Sequence, residues 1–125
     1  LAEVSWFHVY NAVLAGAAGG LLEETLFRGF LIDQLRRSGF GTTVQVAVSS
    51  AAYGAAHAAW GLTSGAFTLQ LVGGAVIGTT VFGFGCAAVY LLSRRSLVPV
   101  ILSHGLIDLC IEPWLFLAAV SLARR

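Results

Sequence analysis

The chain has 125 residues, 58% of them apolar and 10% charged, with a mean hydropathy of +0.86 and a formal net charge of +1. Disorder needs the opposite balance, few apolar residues and many charges. Seven basic and six acidic side chains are also too few to wet the surface of a soluble 13.1 kDa globule, which leaves a membrane protein with lipid against most of its outer surface.

The first apolar stretch covers residues 4–35. It is too long for one upright span, which needs about 20 residues, so it must tilt, protrude or bend. Gly16, Gly19 and Gly20 mark the expected bend or close helix contact. The second stretch covers residues 42–60, the third 66–92, and the fourth 97–122, with Pro99 in its first turn and Pro113 further on. Short linkers at 38–41, 61–65 and 93–96 join them. Each stretch far exceeds the ~10 alternating residues of a barrel strand. The fold class expected is therefore all-α, a polytopic transmembrane bundle with about four membrane helices. Residues 1–125 read as one membrane domain, and a chain that opens on Leu1 and holds no Met is expected to be a piece of a longer one. The glycines from Gly73 to Gly85 lie in a helix with no following Lys-Ser/Thr, so they read as close-packing positions and not as a phosphate loop. Cys86 and Cys110, with no paired spacing, read as buried small hydrophobes.

All seven basic residues are Arg, and six stand as the pairs Arg36-Arg37, Arg94-Arg95 and Arg124-Arg125. Pairs at the ends of apolar runs suit membrane-edge anchoring and exclude a nucleic-acid surface. If the second and third stretches form a hairpin, Arg36-Arg37 and Arg94-Arg95 share one side, expected to be cytoplasmic, with Trp6, Trp60 and Trp114 toward the other. Arg124-Arg125 would then fall on the non-cytoplasmic side.

Ionisable groups at membrane depth are functional candidates by default, and here they cluster. At ~1.5 Å per helical residue, Glu24 lies about 20 Å in from Arg37, His57 about 21 Å from Thr43, Asp108 about 18 Å from Ser96, and His104 about 12 Å. Three helices thus bring their expensive groups to a similar level. Glu24 and Arg28 are four apart and can pair on one face, whereas Glu23 is turned about 100° away and is left free for chemistry. Tyr53 and His57 are also four apart, as are His104 and Asp108. A carboxylate beside an imidazole can take a proton from water while other donors stabilise an oxyanion. Two His with carboxylates can alternatively hold Zn²⁺, but no HExxH is present. No cofactor is expected; a metal, if bound, would take Glu23, His57 and His104. The bland readings are a buried ion network for Glu23, Glu24 and Arg28, core histidines, and a helix-packing role for Asp108. His8, Asp33 and Glu112 read as interfacial or locally paired.

Three motifs stand in order along these helices: Glu23-Glu24-Thr25-Leu26-Phe27-Arg28, Tyr53-Gly54-Ala55-Ala56-His57, and His104-Gly105-Leu106-Ile107-Asp108. As EExxxR, [F/Y]xxxH and Hxxx[N/D] over residues 20–110, they resemble the CAAX protease and bacteriocin-processing (CPBP, or Abi) family, which includes the type II CAAX prenyl endopeptidases. The resemblance implies an intramembrane endopeptidase of the glutamate type. Glu23 would act as general base on water with His57, and His104 and the residue at 108 would stabilise the oxyanion. Glu24 and Arg28, with Tyr53, would support the site. The substrate would be a membrane-associated peptide, prenylated or a leader. The group's fold has more than four membrane helices, so flanking helices are expected beyond this chain. Where the prenyl endopeptidases carry Asn, this chain has Asp108, and an ionised Asp cannot donate to an oxyanion. It would have to be protonated, orient His104 or pair with Arg28. The rival readings are a non-catalytic membrane immunity or scaffold protein on the same fold, and an ion-pathway fragment, for which no internal repeat is visible.

Overall fold

The computed structural model describes the backbone of residues 6–63 and 69–123, and the side chains of 6, 9–11, 13–14, 16–59, 69–70 and 72–111. Trp60, Trp114, His8, Glu112 and the Arg124-Arg125 pair fall outside the side chains described. Among the described residues the protein is all-helical, with no strand.

The first apolar stretch is one helical run of three parts: α1 (Trp6–Glu24), a π-helical segment (Thr25–Leu31) and α2 (Ile32–Arg37). The remaining helices are α3 (Thr42–Thr63), α4 (Leu69–Leu92) and α5 (Leu97–Ala123). Of the bend or close helix contact expected at Gly16, Gly19 and Gly20, the structure shows the contact: these residues lie inside α1, and the irregular turn comes after them. Gly16 and Gly20 instead let α1 meet α5 backbone to backbone. A Cβ at Gly20 would lie 3.1 Å from the Gly105 nitrogen and 3.2 Å from the Ile101 oxygen. The π-helical segment is closed by the Ile32 N–H, which donates to the Phe27 carbonyl five residues back. That carbonyl also accepts from Ser49 Oγ at 2.9 Å, tying the widened turn to α3.

Helix α3 packs along α4 and α1 along α5, so α3 and α4 form the expected hairpin. A Cβ at Gly54 would run into Thr80 Oγ1 and come within 2.8 Å of the Val76 oxygen, and one at Gly83 would lie 3.2 Å from Ser50 Cα. The expectation of close packing along 73–85 holds at Gly83 alone. Among the described residues Gly73, Gly74, Gly78 and Gly85 meet nothing within 4 Å; Gly74, Gly78 and Gly85 lie on the side of α4 turned away from Val76, Thr80 and Gly83, which meet α3. The cysteines also divide: Cys86 is buried as expected, but Cys110 is exposed, on a side of α5 that no described helix covers.

Two layers of interior follow. Near the Arg-bearing loops, Ile32, Cys86, Ala87, Tyr90 and Val100 make an apolar cluster. Beside it the buried side chains are polar: Glu24, Arg28, Gln45, Ser49, Ser50 and His104. Large apolar groups such as Leu22, Leu26, Val81, Leu102 and Leu106 face outward. Among the described residues one segment, Val72–Leu92, is long and apolar enough to cross a membrane, with mean hydropathy 1.9, and Leu97–Ile111 is a shorter apolar helix. The pairs Arg36-Arg37 and Arg94-Arg95 lie at one end of the bundle. Arg95 Nη2 donates to Gln45 Oε1 at 3.0 Å, and Gln45 Nε2 donates to the Phe40 carbonyl. Asp33 is held between Arg36 and Arg37 at 2.6 Å each. Those guanidiniums keep its carboxyl below the ordinary 3.8.

Candidate active site

The polar layer is assembled from four separate stretches of chain. Glu23 and Glu24 end α1, and Arg28 follows inside the π-helical segment. Consecutive residues on a helix point about 100° apart, so one carboxylate turns inward and the other stays at the edge. The Glu24 side chain is fully buried, whereas that of Glu23 is 30% exposed.

Glu24 is the structural centre. Arg28 Nη1 donates to its Oε1 at 3.1 Å, and His104 Nδ1 donates to the same oxygen at 2.7 Å. Arg28 extends further: Nη2 donates to the Gly83 carbonyl on α4 at 2.8 Å, and the guanidinium stacks 4.8 Å from the Tyr53 ring centre. One arginine therefore bridges the first helical run, α3 and α4. Glu24 Oε2 and Arg28 Nε are buried with no hydrogen-bond partner within the distance criterion among the described residues.

Glu23 faces the other way, toward two imidazoles. Its Oε1 lies 3.9 Å from His57 Nε2 and its Oε2 lies 3.8 Å from His104 Nε2. Both separations are too long for a direct hydrogen bond and short enough for one water to bridge. His57 Nδ1 donates to the Tyr53 carbonyl at 2.9 Å, one turn back on α3. That bond selects the tautomer whose Nε2 lone pair is turned to Glu23. His104 is set between carboxylates, with Glu24 on Nδ1 and Asp108 Oδ2 at 3.3 Å from Nε2. Of the roles left open for Asp108, contact with His104 is the geometry observed; Arg28 is engaged by Glu24 and Gly83. Tyr53 Oη is 3.4 Å from His104 Nε2, and Tyr53 and Phe82 pack edge-on against the His104 ring.

The structure thus brings Glu23, Glu24, Arg28, Tyr53, His57, His104 and Asp108 into one cluster. Sequence reasoning missed the α4 contributions, Gly83, Phe82 and Cys86. The glycine-rich composition of α4 was the only signal, and it did not distinguish Gly83 from its neighbours. The metal-ligand set also differs. The donor atoms that converge within 4.8 Å of one another are those of Glu24, Cys86 and His104, not the trio Glu23, His57 and His104 expected from sequence. A cation there would sit next to the Arg28 guanidinium, which opposes it in a low-dielectric interior.

A family profile described as type II CAAX prenyl endopeptidase Rce1-like matches residues 5–110, and the chain belongs to that family. No curated protein and no solved structure matches the chain closely enough to count as a relative.

Proposed function

From that membership we propose that the protein is an intramembrane endopeptidase that hydrolyses a peptide bond near the C-terminus of a prenylated, membrane-associated peptide. Membership supports the protease class and the CAAX-type substrate. The inverted distribution of polarity, with ionisable groups inside and large aliphatic groups outside, supports a multi-pass bundle in lipid. On the positive-inside rule the end carrying Arg36-Arg37 and Arg94-Arg95 faces the cytoplasm.

The observation that carries the mechanism is Glu23, partly exposed and one water's length from the Nε2 atoms of both His57 and His104. Water held between Glu23 and His57 gives a proton to the carboxylate as its oxygen attacks the scissile carbonyl. The charge that develops on the carbonyl oxygen is met on the His104 side of the cluster, and as the tetrahedral intermediate collapses the C–N bond breaks and Glu23 returns its proton to the leaving amine. Glu24 and Arg28 hold His104 and the first helix in register and take no part in proton transfer. The water needs no metal in this scheme, since the carboxylate supplies the base and the imidazoles the orientation.

The test is cleavage of a farnesylated peptide ending in a CAAX tetrapeptide by the purified protein in detergent or nanodiscs. Glu23→Gln keeps shape and removes the base, and is expected to lower kcat at least about 100-fold, within the usual contribution of a general base. His57→Ala is expected to do likewise. Unchanged turnover in both variants removes the mechanism, and intact cellular function in Glu23→Gln favours a scaffold or immunity role instead.

A further inference from the structure

Resting on the protease reading, we propose that the Tyr53 hydroxyl is the second oxyanion donor of this enzyme, in place of residue 108. The argument begins with a shortage of donors. Asp108 offers only acceptor oxygens when ionised, and its Oδ2 lies 3.3 Å from His104 Nε2. His104 Nδ1 is already given to Glu24 at 2.7 Å. Both ring nitrogens of His104 thus face carboxylates, and an oxyanion arriving beside Asp108 would meet a like charge. One donor alone on that side, itself shared with Asp108, is a weak oxyanion site.

Tyr53 meets the shortage. Its Oη lies 3.4 Å from His104 Nε2, on the side where Glu23 Oε2 also approaches that nitrogen at 3.8 Å. The phenolic proton lies toward the Glu23 carboxylate, and it turns to the incoming oxygen once Glu23 has taken the proton of water and no longer competes as an anion. The ring cannot wander. It is held edge-on by Phe27 at 5.2 Å between centres, stacked under the Arg28 guanidinium at 4.8 Å, and flanked by Phe82. A donor fixed before substrate arrives needs no reorganisation when charge develops. Asp108 then becomes a positioning residue that orients His104.

The experiment uses the farnesylated CAAX peptide and, as a tetrahedral mimic, its phosphinate isostere at the scissile bond. Tyr53→Phe removes one oxygen and keeps the packed ring. It is expected to lower kcat about 100-fold or more, the usual effect of losing one oxyanion donor. KM should stay within about threefold, and phosphinate affinity should fall with kcat. The Tyr53→Phe/Asp108→Asn double variant should recover about tenfold or more over Tyr53→Phe, because the amide restores a donor. Tyr53→Phe turning over within about threefold of wild type overturns the proposal, as does a loss confined to KM, a double variant no better than the single, or a Tyr53→Phe protein that loses its fold along with its activity. A wild-type protein that cleaves nothing overturns the protease reading as well, whereas equal cleavage by wild type and Tyr53→Phe removes Tyr53 alone.

Discussion

Arg28 shows how a single side chain can decide whether a polar interior is tolerated. Burying a carboxylate costs several kcal/mol unless it is paired, and removing one partner of a buried pair costs about 3–5 kcal/mol because the other charge is stranded. Arg28 pairs with Glu24 and also reaches Gly83 and Tyr53. Arg28→Ala is therefore expected to destabilise the fold by about 3–5 kcal/mol, read from unfolding in SDS or by heat in detergent. Loss of activity with unchanged stability would instead place Arg28 in the chemistry. The pair was legible in the sequence, since a spacing of four on a helix brings Glu24 and Arg28 to one face. The Gly83 anchor was not, because a backbone carbonyl carries no residue-type signal.

Between helices, the decisive contacts are made by glycines whose neighbours cannot retreat. At Gly54 a methyl would collide with Thr80 Oγ1 and the Val76 carbonyl, while at Gly78 it would meet nothing within 4 Å. Gly54→Ala is expected to cost about 1–3 kcal/mol by forcing α3 from α4. Gly78→Ala is expected to be neutral or to stabilise by up to about 1 kcal/mol through helix propensity. Equal effects at the two positions in a thermal-unfolding comparison would contradict this packing. Apolar run length was enough to read the helices themselves: α3 begins at Thr42 and α5 at Leu97, where the sequence places them. Which glycines pack was hidden, because composition does not state the rotation of a helix about its axis. The π-helical segment was hidden for a related reason, since its extra residue per turn depends on a hydroxyl, Ser49, supplied from another helix.

At the scale of the whole molecule, the described residues run in polarity from outside to inside in the sense opposite to that of a soluble protein, and their outward-facing charges, Asp33, Arg36, Arg37, Arg94 and Arg95, collect at one end. The depth arithmetic placed Glu24, His57, His104 and Asp108 at similar levels, and these residues do lie together; their pairing within the cluster depended on helix rotations that arithmetic cannot supply. Orientation is open to a direct measurement. In a Cys110→Ala background, where the remaining Cys86 is buried, Ser38→Cys should react with a membrane-impermeant maleimide in inside-out vesicles and not in intact cells. The reverse pattern would invert the assignment.

The widened turn at Thr25–Leu31 also bears on how this helix can differ in length among its kin. Such a turn accommodates a surplus residue without rotating what lies on either side. Glu24 must stay four positions from Arg28 to keep its partner, so the surplus is most readily surrendered after Arg28, at the outward-facing Phe30. A homologue one residue shorter there would rewind to an ordinary α-helix and still present both glutamates to the same neighbours. Gaps in an alignment of this helix are expected to gather at that point.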